Sequence, residues 1–492
     1  MKTLLRGGRV LDPGTGLDAV ADVLLDGGTV AAVGPDLDPG DATVVDVSGL
    51  VVGPGFIDLH SHVHTVVGQR LQAFDGVTTA LELEAGLSPV GRAHRQTAAE
   101  GRPLNYGYSA SWASARGQAL LGLEQTASFP EILGLFGRED WQRDSSPAER
   151  TAWLGILERE LEDGALGIGI LLGYAPQTDP GEYLDVARLA ASAGAPTFTH
   201  VRELAEVDPT TPIDGSLEIT IAAGETGAAM HHCHINSTSR RHIERVLGTI
   251  SASQAAGSRV SIEAYPWGAG ATAVGAYFLA PERLEARGMT PSDIIMVATG
   301  ERIANAERLR EIRETDPGAP CLPHYLDEGD PRDLGLLRMP FEFPDAIPAS
   351  DAFSPVWSGD DGFPDTDEWP MPPGGRVHPR SGGTFTKAIR MMVRDSSAWT
   401  WLEAFRRCSY LPARVLDDVA PVMRRKGHLG VGADADVVVL DPRTVSELAT
   451  YADPTRPAQG VRHLLVNGTF VIRDGLLDPS ARPGRGVRGT PA

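Results

Sequence analysis

The stretch GFIDLHSHVHTV, residues 55–66, places Asp58, His60, His62 and His64 at every second position. The preceding run, VVGPGFIDLH, is apolar, bounded by Gly and Pro and too short for a helix, so it reads as a buried strand. Strand side chains alternate, so all four polar residues share a face. Two histidines one residue apart at a strand end can chelate a single ion. A third in series lies about 13 Å from the first if the strand continues. His60 and His62 are therefore the expected pair, and His64 is left to the loop or to hydrogen bonding. An HxH pair alone fits solvated loop histidines equally well, so partners are required from elsewhere in the chain.

Such partners recur at the ends of other apolar segments. GVTTALELEAG carries Glu82 and Glu84 in phase, and APTFTHVRE offers His200, followed by Arg202 and Glu203. AAMHHCHIN offers His232 and His234, with Cys233 on the opposite face, and SPVWSGDDG ends in Asp360, Asp361 and Gly362. Histidines and carboxylates at the same end of five strands are difficult to explain as isolated core polar groups. Imidazole and carboxylate ligands suit zinc, as one or two ions, or another divalent cation. Such an ion lowers the pKa of bound water to roughly 7 and polarises a carbonyl. A carboxylate on the last strand then takes the proton and passes it to the leaving nitrogen. Asp361 is the residue expected in that role, because a flexible glycine follows it and Asp360 points the other way.

The elements that must position these groups alternate along the chain. Eight apolar strand candidates run from LVVGPGFIDLH to SPVWSGDDG. Helix-like stretches lie between several of them, such as SPAERTAWLGILERELEDG with Leu154, Leu157 and Leu161, and EYLDVARLAASAG with its glycine stop. This is the pattern of an α/β fold, a (β/α)8 TIM barrel whose strand ends carry the chemistry. Turn-punctuated strands at both ends predict a small β-sandwich domain formed by residues 1–52 and 427–492. The catalytic barrel then spans 53–426, with residues 273–350 as an insertion before the last barrel strand.

Composition narrows the partners. Of the 492 residues 42% are hydrophobic, ample for a large core, and 65 acidic against 44 basic residues give a net charge of −21. That surface argues against nucleic acid and anionic membranes as partners. The N-terminal sequence MKTLLRGGRVLDPGTG matches no secretory leader, and no apolar run reaches spanning length. Cys233, Cys321 and Cys408 are scattered and odd in number, as expected of a reduced cytoplasmic protein. Lys2, Lys387 and Lys426 are the only lysines, and all three fall outside the strand candidates. Oligomeric state is left open, a homo-oligomer included.

The chain resembles the amidohydrolase superfamily, and within it the N-acyl-D-amino-acid deacylase (D-aminoacylase) group. The matching pieces run nearly end to end: GFIDLHSH, GVTTALELEAG, GALGIGILLGYAP, THVRE, HCHIN, EAYPW, SGDDGFP, HPRSGGTF and ADVVVLDP followed by VRHLLVNG. The resemblance implies a metal-dependent barrel in which His60, His62, His200 and His234 are ligands and Asp361 is the acid/base. It also implies substrate contacts from Tyr265 and Arg380, with Arg202 and Asn236 as further candidates. Two departures stand out. The group's cysteine ligand after strand two falls on Ala85, and the carboxylated lysine of other amidohydrolases has no counterpart in GALGIGILLGY. Glu84 is the expected replacement as a bridging carboxylate, with Glu82 as the alternative. Asn236 stands where the group usually shows a lysine. The leading expectation is hydrolysis of a linear amide, an N-acyl amino acid or analogue, with a small-molecule substrate. Opening of a cyclic amide such as a hydantoin or dihydroorotate is the alternative, and a non-catalytic small-molecule-binding barrel ranks third.

Overall fold

The computed structural model describes residues 2–359 and 363–490. Strands from both chain ends meet in one nine-stranded sheet. The junction is Val51–Pro54 lying antiparallel to Val437–Leu440, with Val52 opposite Val439. The VVVL run explains why this strand can sit between two cores. Val437 and Val439 pack with Leu5, Val10 and Val23 in the sheet's own core. Val438 and Leu440, one residue out of phase, join the main core. A strand covered on both faces needs an unbroken apolar run rather than alternation.

The middle of the chain is built from parallel strands separated by helices. Phe56–Asp58 pairs with Val77–Glu82, which pairs with Asn105–Tyr108. The same chain segment continues as Ala110–Ser111 and pairs with Ile168–Leu171. Thr197–His200, Met230–His232, Val260–Ala264 and Ile347–Pro348 follow in parallel order. Ala352–Phe353 then pairs in parallel with Ser61–His62, next to the first of these strands. Helices such as Pro147–Glu162 fill the crossovers; Pro147 occupies its first turn, and Ser146 and Glu149 cap each other's backbone N–H groups.

The last of these strands departs from expectation. It comes from Ile347–Pro348 and Ala352–Phe353, not from SPVWSGDDG, where Val356 instead meets Arg376 in an antiparallel bridge. Before it, Thr272–Ala273, Pro320–Pro323 and Ile294–Met296 form a separate three-stranded antiparallel sheet. No helix among the described residues is long and apolar enough to cross a membrane.

Candidate metal centre

At the C-terminal ends of the parallel strands, carboxylates orient the histidines. His60 Nδ1 lies 2.5 Å from Glu263 Oε1, and His62 Nδ1 lies 2.7 Å from Glu82 Oε2. A proton donated from each Nδ1 fixes the tautomer and leaves each Nε2 with a bare lone pair. Those two Nε2 atoms face one another at 3.1 Å. Two lone pairs at that separation repel unless a proton or a metal cation lies between them.

Glu84 spans this pair and a second one. Its Oε2 lies 3.2 Å from His60 Nε2 and 3.6 Å from His62 Nε2. Its Oε1 lies 2.7 Å from His234 Nε2 and 3.2 Å from His200 Nδ1. All five residues are buried. Donor atoms of His60, His62 and Glu84 form one group lying within 4.8 Å of one another, and those of Glu84, His200 and His234 form another. Nitrogen and carboxylate donors in a buried cluster of this kind fit a divalent cation. His234 adopts φ +31°, a left-handed conformation that is uncommon for a residue with a side chain and that recurs where function constrains the backbone.

The charges reinforce this picture. Burial opposes ionisation of His60, yet Glu84, Asp351 and Glu263 together hold its pKa well above the usual imidazole value. His62 is held high against burial chiefly by Glu82, with Asp351 and Glu84 adding to it. Glu82, despite burial, is drawn down to about 2 by His62 and His64, and Glu84 is drawn well below the carboxylate range by His60 and His234. Burial lowers His200 instead, favouring its neutral, ligating form. In a protein without the metal His60 and His62 carry protons where a cation would replace them.

Asp351, which sequence reasoning passed over, completes the first group. Its Oδ1 lies 3.4 Å from both His60 Nε2 and His62 Nε2, and its backbone N–H donates to His60 O at 2.8 Å. It too has a left-handed backbone, at φ +50°. Asp361 lies outside the described residues. Arg380 Nη2 sits 2.8 Å from Asp351 Oδ1, and the guanidinium rests 4.5 Å above the Tyr265 ring. Arg380 is fully buried, and beyond that ion pair its Nε and Nη1 have no hydrogen-bond partner among the described residues; neither does the Tyr265 hydroxyl.

Other expected contacts resolve differently. Asn236 is committed to the scaffold: its Nδ2 donates to Tyr325 Oη at 2.8 Å and its Oδ1 accepts from Tyr265 N at 3.2 Å. Arg202 does not reach the cavity, because it turns beneath the strand end to pair with Glu218 at 2.8 Å and to donate to Pro176 O. Glu82 accepts hydrogen bonds from His62 and His64 rather than lying between the imidazole pairs, and Glu263, two residues before Tyr265, does the same for His60 and His231. The signal for Glu263 was its phase with Tyr265 in SIEAY.

The cluster opens into a cavity whose walls include Phe129, Phe136, Tyr174, Phe278 and Met289 beside Asp351 and Tyr265. Among the described residues the lysines are all elsewhere: Lys2 pairs with Asp41, Lys387 with Glu328, and Lys426 with Asp434 and Asp436.

The amidohydrolase family model matches residues 43–472, and the chain belongs to that family. It is similar to the D-aminoacylase of Alcaligenes xylosoxydans xylosoxydans, at 28% identity over 96% of this chain and 94% of the relative. The N-acyl-D-glutamate deacylase of the same organism is also 28% identical, over 99% of this chain and 96% of the relative. The fold matches the crystal structure of N-acyl-D-glutamate deacylase from Bordetella bronchiseptica, complexed with zinc and a phosphonate mimic of the tetrahedral intermediate. That match has a TM-score of 0.76 and 24% identity, and it covers 99% of both chains.

Proposed function

We propose that this protein is a zinc-dependent hydrolase of linear amides, cleaving N-acyl amino acids by metal-activated water. The carrying observation is Glu84, whose two oxygens each meet a different imidazole pair, 3.2 Å from His60 and 2.7 Å from His234. In this reading His60 and His62 would hold one ion and His200 and His234 a second, with Glu84 as the shared carboxylate in place of the missing cysteine or carboxylated lysine. The deacylase names of full-length relatives support the reaction class, and the zinc-complexed structural neighbour supports the metal.

When bound there, the cation would supply acidification of water and polarisation of the amide carbonyl. Everything else falls to the protein. Asp351 takes the water proton and returns it to the departing nitrogen; this role moves from Asp361 to Asp351 because of its 3.4 Å approaches to His60 and His62. Arg380, helped by His60, keeps the Asp351 carboxyl below its ordinary range against burial, so it rests ionised and ready to accept a proton. The remaining guanidinium donors of Arg380 and the Tyr265 hydroxyl, all buried without partners among the described residues, receive the substrate carboxylate. Glu82 and Glu263 orient the histidines and take no part in bond cleavage.

The same reading takes the parallel strands as a closed (β/α)8 barrel. Support comes from the pairing of Val260–Ala264 with Ile347–Pro348 and of Ala352–Phe353 with Ser61–His62, which joins last strand to first. It takes residues 1–52 and 427–492 as the β-sandwich domain, supported by the shared terminal sheet, and the antiparallel sheet around Pro320–Pro323 as part of the insertion. A reducing, cytoplasmic location is consistent with three free, buried cysteines.

Zinc-loaded enzyme assayed on N-acyl-D- and N-acyl-L-amino acids, hydantoin and dihydroorotate tests the reaction. Release of free amino acid, abolished by a chelator and restored by zinc, is the expected result. Ring opening without any N-acyl cleavage would place the enzyme with the cyclic amidases instead.

A further inference from the structure

An arm of the terminal sheet docks behind Arg380. Val437–Leu440 and Val461–Val466 are antiparallel neighbours, a pair that a turn of about two to five residues can join. Residues 441–460 lie between them instead. This excursion is fastened to the middle of the chain at three points. Glu447 pairs with Arg390 at 2.5 Å, Arg394 Nη1 donates to Val445 O at 2.6 Å, and Tyr451 Oη donates to Glu328 Oε1 at 2.8 Å. Glu328 also accepts from Gly268 N at 2.9 Å and from Lys387 Nζ at 2.5 Å, and that ammonium lies 3.4 Å over the Trp267 ring. Terminal and central parts of the chain therefore meet on one carboxylate.

From this junction a short path leads to Arg380. The Tyr451 ring meets His378 edge-on at 5.4 Å and Trp267 at 5.8 Å, and Trp267 meets His378 edge-on at 6.0 Å. His378 is buried between them. Its Nε2 donates to Ala269 O at 2.9 Å, which fixes the tautomer and leaves Nδ1 to accept from Arg380 N at 2.9 Å. Burial, with Arg380 beside it, holds His378 well below the usual imidazole value, so that lone pair stays free of a proton. Arg380 belongs to a four-residue 3₁₀ turn, Pro379–Gly382, for which His378 is the cap. So short a turn has little regular structure to hold it, and a shift of the His378 ring moves the Arg380 backbone with it. Misplacement of a binding group by about 1 Å can cost about 100-fold in rate. An arm that served only to cover the sheet would end on apolar surface; this one ends on a shared carboxylate and on the residue that caps the Arg380 turn.

Resting on the reading of Arg380 as the arginine that receives the substrate carboxylate, we infer that the terminal sheet takes part in substrate recognition through Tyr451. Tyr451 is a positioning residue: by packing on His378 it sets where the Arg380 guanidinium meets the carboxylate. Glu328 anchors the Tyr451 hydroxyl, and Lys387 holds Trp267 against the other side of the same imidazole.

Hydrogen exchange and calorimetry on zinc-loaded protein test this with Tyr451→Ala and Tyr451→Phe. In Tyr451→Ala the backbone amides of residues 380–383 should exchange about 10- to 100-fold faster, a local opening that leaves the strand Val77–Glu82 unchanged. Tyr451→Phe keeps the ring and should stay close to the parent protein. D-Leucine against D-leucinamide isolates the carboxylate in binding. The parent should prefer the carboxylate by about 10- to 100-fold, the effect of a charged hydrogen bond. Tyr451→Ala should lose most of that preference and keep its zinc, and Arg380→Met should lose all of it. Combining the two should cost no more than Arg380→Met alone, because the first acts through the second. Unchanged exchange at 380–383 in Tyr451→Ala, or additive losses in the double variant, overturns the inference. Faster exchange without any carboxylate preference in the parent keeps the brace and sinks the Arg380 reading. A preference that Arg380→Met abolishes and Tyr451→Ala leaves intact does the reverse.

Discussion

Two parts of the same centre are built in opposite ways. The imidazole side takes His62 and His200 from parallel strands and His60, Glu84 and His234 from positions two residues beyond strand ends, and Glu263 and Glu82 orient His60 and His62. The opposite side, Asp351 and Arg380, comes from irregular chain: Asp351 sits between two strands of two residues each, and Arg380 lies in a short 3₁₀ turn. In the proposed reading the first side binds the cation. The second is attached to loops, and in that reading it handles proton transfer and substrate recognition. Scaffolds commonly divide labour in this way, with function concentrated on loops that a regular frame positions.

Mutations on the two sides should therefore fail differently. Glu84→Ala is the most damaging: it removes the carboxylate whose two oxygens each meet a different imidazole pair. Metal affinity should fall by more than the roughly 100-fold that loss of an outer partner causes, measured as bound zinc after dialysis, and activity should fall with it. Asp351→Asn should retain zinc yet lose about 10²- to 10⁴-fold in kcat, the range for a lost acid/base. Asp361→Asn, made in parallel, should stay short of that loss; the reverse ranking would return the role to Asp361. Glu82→Gln comes next, with a loss of about 10- to 100-fold in zinc affinity through a misaligned His62.

The smallest effect is a pH dependence peculiar to the imidazole side. His60 and His62 have raised pKa values in the folded, metal-free protein. Their contribution to its stability is full below the unfolded value of about 6.5 and is lost as pH rises through the folded values. Zinc needs the same nitrogens unprotonated, so its affinity climbs over that interval and binding releases protons. The difference in melting temperature between zinc-loaded and metal-free protein should widen as pH rises above 6.5. A gap that narrows would mean these two histidines are not the ligands.

The same contrast explains what could be read in advance. Period-two spacing is local, so HxH and LELE announced their shared faces, and apolar runs marked most of the parallel strands. Asp351 was hidden because its strand pieces, Ile347–Pro348 and Ala352–Phe353, are too short to show a pattern, while SPVWSGDDG offered a longer apolar decoy. Arg202 misled because the regular strand ends at His200; beyond that point alternation no longer dictates direction. The Arg- and Gly-rich end, compositionally biased to the eye, packs along the strand Asn105–Tyr108, with Val487 N donating to Tyr106 O at 2.7 Å. Glycine is required there because a Cβ at Gly484 would lie 2.0 Å from Leu104 O, a tertiary contact that composition does not reveal.

Anomalous diffraction at the zinc edge, on crystals grown without chelator, probes the central claim directly. The account predicts density between His60, His62 and Asp351 and between His200 and His234, with the Glu84 carboxylate joining the two positions when both are filled. Zinc bound elsewhere, or Glu84 turned away from zinc held by the histidines alone, would contradict it.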